Sequence, residues 1–205
     1  MNKKINNFLF VFITVFLASC IAPTTQRTKP NEEAVAIEAE KQREIAVKEA
    51  SKSHYRLLRV GGPILKKSLP FCKDRKRKSI GIIYANKFNY DEEFQNIAVS
   101  KLGLGDTLEI TYAIDSYPAA KAGFKAGDVL LSVNGKDIPI GKDASKKFSK
   151  LLKKEMKGNT QLSFQVARNN ITQSLNVVPI EVCDYPLILT NDDVVNAFAD
   201  GNNIF

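Results

Sequence analysis

The sequence predicts an α+β fold: a small, partly open β-barrel carrying two helices, preceded by a long N-terminal helix. Three observations lead there. Residues 117–135, YPAAKAGFKAGDVLLSVNG, string a proline-started turn, two glycine stops and an apolar strand into one unit closed by Asn134-Gly135. Residues 161–168 and 171–180 flank Asn169-Asn170, another two-residue hairpin signal. Residues 31–53 are rich in helix formers and open on acidic side chains.

Each element has its own local reason. Asn31 offers an N-cap, with Glu32 and Glu33 in the first turn, where the helix dipole favours negative charge. Glu44 and Lys48 can pair at i,i+4 and Glu38 and Lys41 at i,i+3, whereas the apolar stripe of Ala34, Ile37 and Ile45 is thin. The expectation is a mostly solvated helix ending near residue 53, a spacer or docking arm. Residues 56–60 and 64–69 are more apolar, separated by Gly61-Gly62, with Pro63 suited to the first position of a new helical turn. From Lys78 the globular part begins. Residues 79–84 read as a strand with a glycine near its start, 91–102 as a helix capped by Gly103, and 107–114 as a half-buried strand, because its apolar residues alternate. Pro118 fixes φ for a helix start and cannot continue a strand. Gly123 ends that turn, Asp128 ties the Gly127 turn to nearby backbone N–H groups, and 129–133 has strand composition. Residues 143–156 place Ala144, Phe148, Leu151, Leu152 and Met156 on one helical face and lysines on the other, and Gly158 closes the helix.

At 205 residues the chain has room for one domain with appendages. Residues 1–19 differ in kind. Lys3 and Lys4 precede an apolar run from Phe8 to Ala18, a charged start and short apolar core that describe a secretory signal. Its removal leaves 28 Lys+Arg against 22 Asp+Glu, or +6. An exported basic protein meets anionic lipid or envelope polymer far more often than nucleic acid. The run Arg75-Lys76-Arg77-Lys78 lacks the interleaved aromatics of a nucleic-acid site and reads as a solvated face, so no nucleic-acid partner is expected. His54, the single histidine, has no metal-binding partner nearby and reads as a surface residue.

Leu17-Ala18-Ser19-Cys20 resembles the bacterial lipobox, which implies lipid on Cys20 as the mature first residue and a membrane partner reached through it. Ile21 stands where some lipoproteins carry an Asp that retains them at the inner membrane. The expected location is therefore the cell envelope, at the periplasm-facing outer membrane. Residues 20–30, with two prolines and no apolar periodicity, read as a tether.

Ala120-Lys121-Ala122-Gly123 and Ala126-Gly127-Asp128 resemble the most recognisable positions of PDZ domains of the bacterial kind. The resemblance covers 78–180 and implies a PDZ-like domain at 72–183, following a helical segment at 31–71. It also implies capture of extended or C-terminal peptides of envelope proteins. Such a peptide adds a strand beside an exposed sheet edge, with its carboxylate in a nest of backbone N–H groups. The nest matches Ser79, Ile80, Gly81 and Ile82, with Gly81 keeping the approach clear and Lys78 adding favourable charge. The strand at 82–87 would pair with the ligand. Phe148 and Leu151 would line the side-chain pocket, although the same two residues read equally as core. Tyr117 departs from the family, where a small hydroxyl residue is usual before the proline; it is either displayed to a partner or covers the loop.

Cys72 and Cys183 bracket this domain, and in an oxidising compartment they allow a single intramolecular pairing. A bond would clasp the domain at its two ends; two buried free thiols are the alternative. Residues 184–205, with Asn196-Ala197-Phe198, resemble the segment leading into the catalytic domain of membrane-associated HExxH zinc metalloendopeptidases of the CAAX-protease-like clan. That implies the start of a truncated peptidase-like domain, and zinc only as the cofactor of a catalytic domain further on. With one histidine and no HExxH, the chain as it stands is not expected to cleave peptides. The leading reading is a peptide-binding envelope lipoprotein. Its alternatives are the front part of a zinc metalloendopeptidase acting on envelope proteins, and an envelope adaptor working through the helix at 31–53.

Overall fold

The computed structural model describes residues 31–190 and 199–204. The signal, tether and Cys20 lipid site at 1–30, and the Asn196-Ala197-Phe198 run, lie outside the described residues. The chain divides into two compact units, Met1–Glu38 and Ala39–Phe205. In the first, helix α1 (Glu32–Lys67) opens on Asn31, whose Oδ1 accepts the Glu33 N–H at 3.0 Å and whose carbonyl accepts that of Val35 at 3.0 Å. The remainder of α1 belongs to the second unit.

Helix α1 neither stops near residue 53 nor breaks at Gly61-Gly62-Pro63; it runs through all three. The reason is tertiary. A Cβ on Gly61 would stand 2.3 Å from Leu187 Cδ1, and one on Gly62 would stand 3.1 Å from Ile114 Cγ2. Bare backbone lets the helix press onto its neighbours, and that packing outweighs helix-propensity costs of about 1 kcal/mol per glycine and about 3 kcal/mol for proline. The later turns of α1 are not a solvated spacer: Val47 and Leu65 are buried, Tyr55 stacks on Tyr112 at 5.1 Å, and Glu44 pairs with Lys101 at 3.1 Å. Ile37 and Ile45 of the expected stripe stay exposed. His54 is half-buried, its ring meeting Tyr55 edge-on.

After a short 3-10 turn at Leu69–Phe71 come β1 (Lys76–Ser79), β2 (Ile82–Ala85), α2 (Glu92–Leu102), β3 (Glu109–Ala113), α3 (Pro118–Lys121), β4 (Val129–Val133), β5 (Lys136–Asp137), α4 (Ala144–Gly158), β6 (Leu162–Arg168), β7 (Ile171–Val177) and β8 (Ile180–Cys183). The main sheet is antiparallel in the order β2-β3-β4-β6-β7, with β5 against β4. It is open, since its end strands β2 and β7 do not meet. Both hairpin turns have the left-handed backbone their sequences announce: φ is 49° and 72° at Asn134-Gly135, and 50° and 62° at Asn169-Asn170. Gly103 closes α2 at φ 74°.

β1 and β8 form a separate two-stranded sheet, with Lys76 opposite Cys183. The strand expected over 79–84 is therefore two strands in two sheets, and Ile80-Gly81 is the crossing. The strand expected to reach Ile180 likewise breaks at Val178-Pro179, because Pro179 has no N–H to continue the ladder. Beside this small sheet Cys72 and Cys183 are joined, with Cα atoms 5.6 Å apart and a sequence separation of 111. Both pack against Leu65 of α1.

The core lies between the main sheet, α3 and α4, where Leu108, Val133, Ala144, Phe148, Leu162, Phe164 and Val166 are fully buried. Asp128 holds its turn as expected, accepting the Lys125 N–H at 2.9 Å. It also accepts Arg168 Nε at 2.6 Å and Nη2 at 2.8 Å, so the turn is pinned to β6 across the sheet. Among the described residues no helix is long and apolar enough to cross a membrane.

Candidate functional site

The loop between the two sheets is shaped by one apolar side chain and one glycine. Ile80 turns into the core, and its carbonyl accepts the Ala119 N–H at 2.9 Å. Gly81 adopts φ +83°, a conformation costly to any residue with a Cβ. Its carbonyl accepts the Ile114 N–H at 2.9 Å, and its own N–H donates to Ser79 Oγ at 3.2 Å. Hydrogen bonds thus tie the loop to α3 and to the end of β3. β2 follows at once, with Ile82 opposite Ala113 and a bulge between Ile83 and Tyr84. Among the described residues nothing pairs with its outer edge.

That edge faces α4 across a trough. Two hollows, about 680 and 660 Å³, share Ile82, Tyr84 and Ser149. The first lies at the loop end, and Lys78, Ser79, Ile80, Gly81 and Ile82 all line it. Phe148 and Leu151 line neither hollow. Phe148 is fully buried, its ring centroid 4.7 Å from that of Tyr84, and Leu151 is half-buried against the same core. Helical phase explains the miss. Positions 145, 149, 152 and 156, one i,i+4,i+7,i+11 series, bring Ser145, Ser149, Leu152 and Met156 to the trough, while Phe148 sits about 100° further round. The Tyr84 hydroxyl meets Ser149; burial pushes the phenol up, and the hydrogen bond from Ser149 pulls the other way.

Two residues hold this geometry from behind. A Cβ on Gly81 would stand 2.2 Å from Tyr117 Cβ, so the close approach that requires glycine is to Tyr117 and not to a guest backbone. Tyr117 is not displayed: it is 2% exposed, and its hydroxyl donates to the Gly62 carbonyl of α1 at 3.1 Å. Burial pushes its phenol up, with Arg77 opposing. At the other end of β2, Asn86 is buried. Its Oδ1 accepts the Phe88 N–H at 3.1 Å, while Nδ2 donates to the carbonyls of Asp106 at 3.1 Å and Gly141 at 2.9 Å. It fastens β2 to the loop before α4. Sequence reasoning passed over it, although an Asn directly after an apolar run is an Asx-turn signal. Under α4, buried Glu155 accepts Lys136 Nζ and, at 2.9 Å, Asn134 Nδ2; these partners, Lys136 foremost, hold its carboxyl below the usual range.

Residues 105–178 match the family model described as PDZ domain. The chain contains a PDZ domain. The matched range starts after β2 and the Gly81 loop, which are placed by the pairing with β3 described above. One curated relative, the serine protease Do-like HtrB of Bacillus subtilis (strain 168), is 28% identical over 102 residues, 49% of this chain and 21% of that protein. The chain spans about a fifth of the length of that relative. Among solved structures, the HtrA3 PDZ domain bound to a phage-derived ligand (FGRWV) is 18% identical, covering 52% of this chain and 89% of that one at a TM-score of 0.39. The HtrA-type protease AlgW with decapeptide is 24% identical, covering 51% of this chain and 29% of that one at a TM-score of 0.37. The family-model match ends at residue 178, so it does not reach residues 184–205.

Proposed function

We propose that the PDZ domain binds extended peptide segments, the peptide adding as a strand to the outer edge of β2 and its terminal carboxylate lying in the loop from Lys78 to Ile82. The observation that carries this reading is an unpaired strand edge, among the described residues, facing α4 across a trough with that loop at one end. Main-chain hydrogen bonds from β2 supply affinity, and the Ile82, Leu152 and Met156 side chains supply an apolar floor. The carboxylate takes the Gly81 N–H from the Ser79 hydroxyl that holds it in the free protein. Titrating the chain with one decapeptide, free and amidated at its C-terminus, tests the reading. Tighter binding of the free acid supports it; equal indifference to both removes it.

The export reading belongs to the same proposal. Leu17-Ala18-Ser19-Cys20 supports a lipid on Cys20 and an envelope location, with envelope proteins as the source of peptides. Mass spectrometry of the mature N-terminus, wild type beside Cys20→Ser, decides it: an unmodified wild-type Cys20 overturns the anchor.

A further inference from the structure

The loop end of the trough carries more positive charge than one terminal carboxylate neutralises, even with Lys78 opposite Glu181 in the β1-β8 pairing. Lys76, Arg77 and Lys78 of β1 and Lys153 and Lys157 of α4 line it, against Glu181 and Asp184. Asp184 is already engaged, 3.3 Å from Arg77. Among the described residues Lys76, Lys78, Lys153 and Lys157 have no ion-pair partner. Lys153 and Lys157 are one helical turn apart, on either side of Met156, so they present together beside the apolar floor. The acidic side chain of α4, Glu155, is turned away and bound to Lys136 and Asn134. The second hollow continues the bias, with Lys142 and Lys146 beside Asp143. No carboxylate of α4 therefore offsets the lysines along the trough.

From this charge pattern, and resting on the strand-addition reading above, we infer that the trough selects acidic peptides: chains with Asp or Glu among their last few residues, next to the terminal carboxylate. The terminal carboxylate is met by the loop. Additional acidic side chains meet the lysines of β1 and α4 on either side. A lipid headgroup offers negative charge without an extended backbone, and so leaves the β2 edge and the apolar floor unused.

Fluorescence anisotropy with the full chain and labelled decapeptides tests this. The peptides share one apolar last residue and a free carboxylate, and differ only in carrying Glu, Gln or Lys at the three preceding positions. At low salt the Glu peptide is expected to bind about five- to tenfold more tightly than the Gln peptide, the combined effect of a few exposed ion pairs. High salt should erase most of that margin. Lys153→Gln with Lys157→Gln should bring the Glu peptide down towards the Gln peptide, while Lys150→Gln with Lys154→Gln, on the same helix but outside the trough, should preserve the margin. Equal affinity for the Glu and Gln peptides overturns acid selection and leaves strand addition standing. Failure of every peptide to bind removes strand addition, and acid selection with it. Vesicles rich in phosphatidylglycerol that bind through Lys153 and Lys157, with no preference among peptides, overturn the proposal in favour of a membrane surface.

Discussion

Tyr117 occupies the space that a side chain on Gly81 would need. Its Cβ, Cγ and Cδ1 would lie 2.2, 2.5 and 2.6 Å from such a Cβ, and its hydroxyl reaches back to the Gly62 carbonyl. One aromatic ring therefore links the final turns of α1 to the loop at the head of the trough. Tyr117 therefore braces the candidate carboxylate site from behind.

Gly81→Ala meets both a left-handed backbone and an occupied space. The chain is expected to lose about 2–4 kcal/mol of unfolding free energy, combining the conformational cost with overpacking. Urea denaturation measures it, and a loss under 1 kcal/mol would show that Tyr117 can move aside at little cost.

Tyr117→Phe keeps the ring and deletes one hydrogen bond. Leaving the Gly62 carbonyl with less than its full complement should cost about 1 kcal/mol. Hydrogen exchange should quicken in the last turns of α1 and in the Ser79 to Ile82 loop together. Acceleration in the helix alone would mean that the two are not coupled through this ring.

Ser79→Ala removes the hydroxyl that holds the Gly81 N–H at 3.2 Å. Free-acid peptides should then bind more tightly, by about 0.5–1.5 kcal/mol, because they no longer displace an internal acceptor. Calorimetry on free and amidated peptides isolates the effect, and an unchanged free-acid affinity would place the carboxylate elsewhere.

Glu155 is held below the ordinary carboxyl value of 4.5, chiefly by Lys136 and then by Asn134. A depressed folded value means that the unfolded chain takes up the proton first. The stabilisation is therefore complete above the ordinary value and is lost as pH falls through the folded one. Thermal unfolding of the wild type and Glu155→Gln should differ most near neutral pH, and the two should converge in the acid range below 4.5. Curves that stay parallel through that range would assign the depressed titration to another group.

Local chemistry made much of this fold legible. Asn134-Gly135 and Asn169-Asn170 require positive φ and little else, so the hairpins could be located from two residues each. Gly103 and Pro118 mark helix ends for equally local reasons. What stayed hidden depends on partners distant in sequence. Gly61-Gly62-Pro63 reads as a break until Leu187, Ile114 and Tyr117 are seen against it. Lys76 to Ser79 is too polar to announce a strand, and it becomes one because β8 lies beside it. The Lys78 to Ile82 loop, which lines one hollow, stood out in the sequence because its glycine and flanking apolar residues are contiguous. Which face of α4 meets the trough was not legible, because Phe148 and Ser149 differ by one step of helical phase, which periodicity alone does not orient. Asn86 acts through carbonyls of Asp106 and Gly141, which sequence does not bring near it.

The bond between Cys72 and Cys183 also governs how the protein carries mechanical load. Tension applied between α1 and the tail beyond Cys183 passes from one sulfur to the other and bypasses the intervening loop, which contains the main sheet. A pull on the two ends is therefore borne first by that covalent shortcut, and only the contacts of α1 with Tyr112 and Tyr117 pass part of it to the sheet.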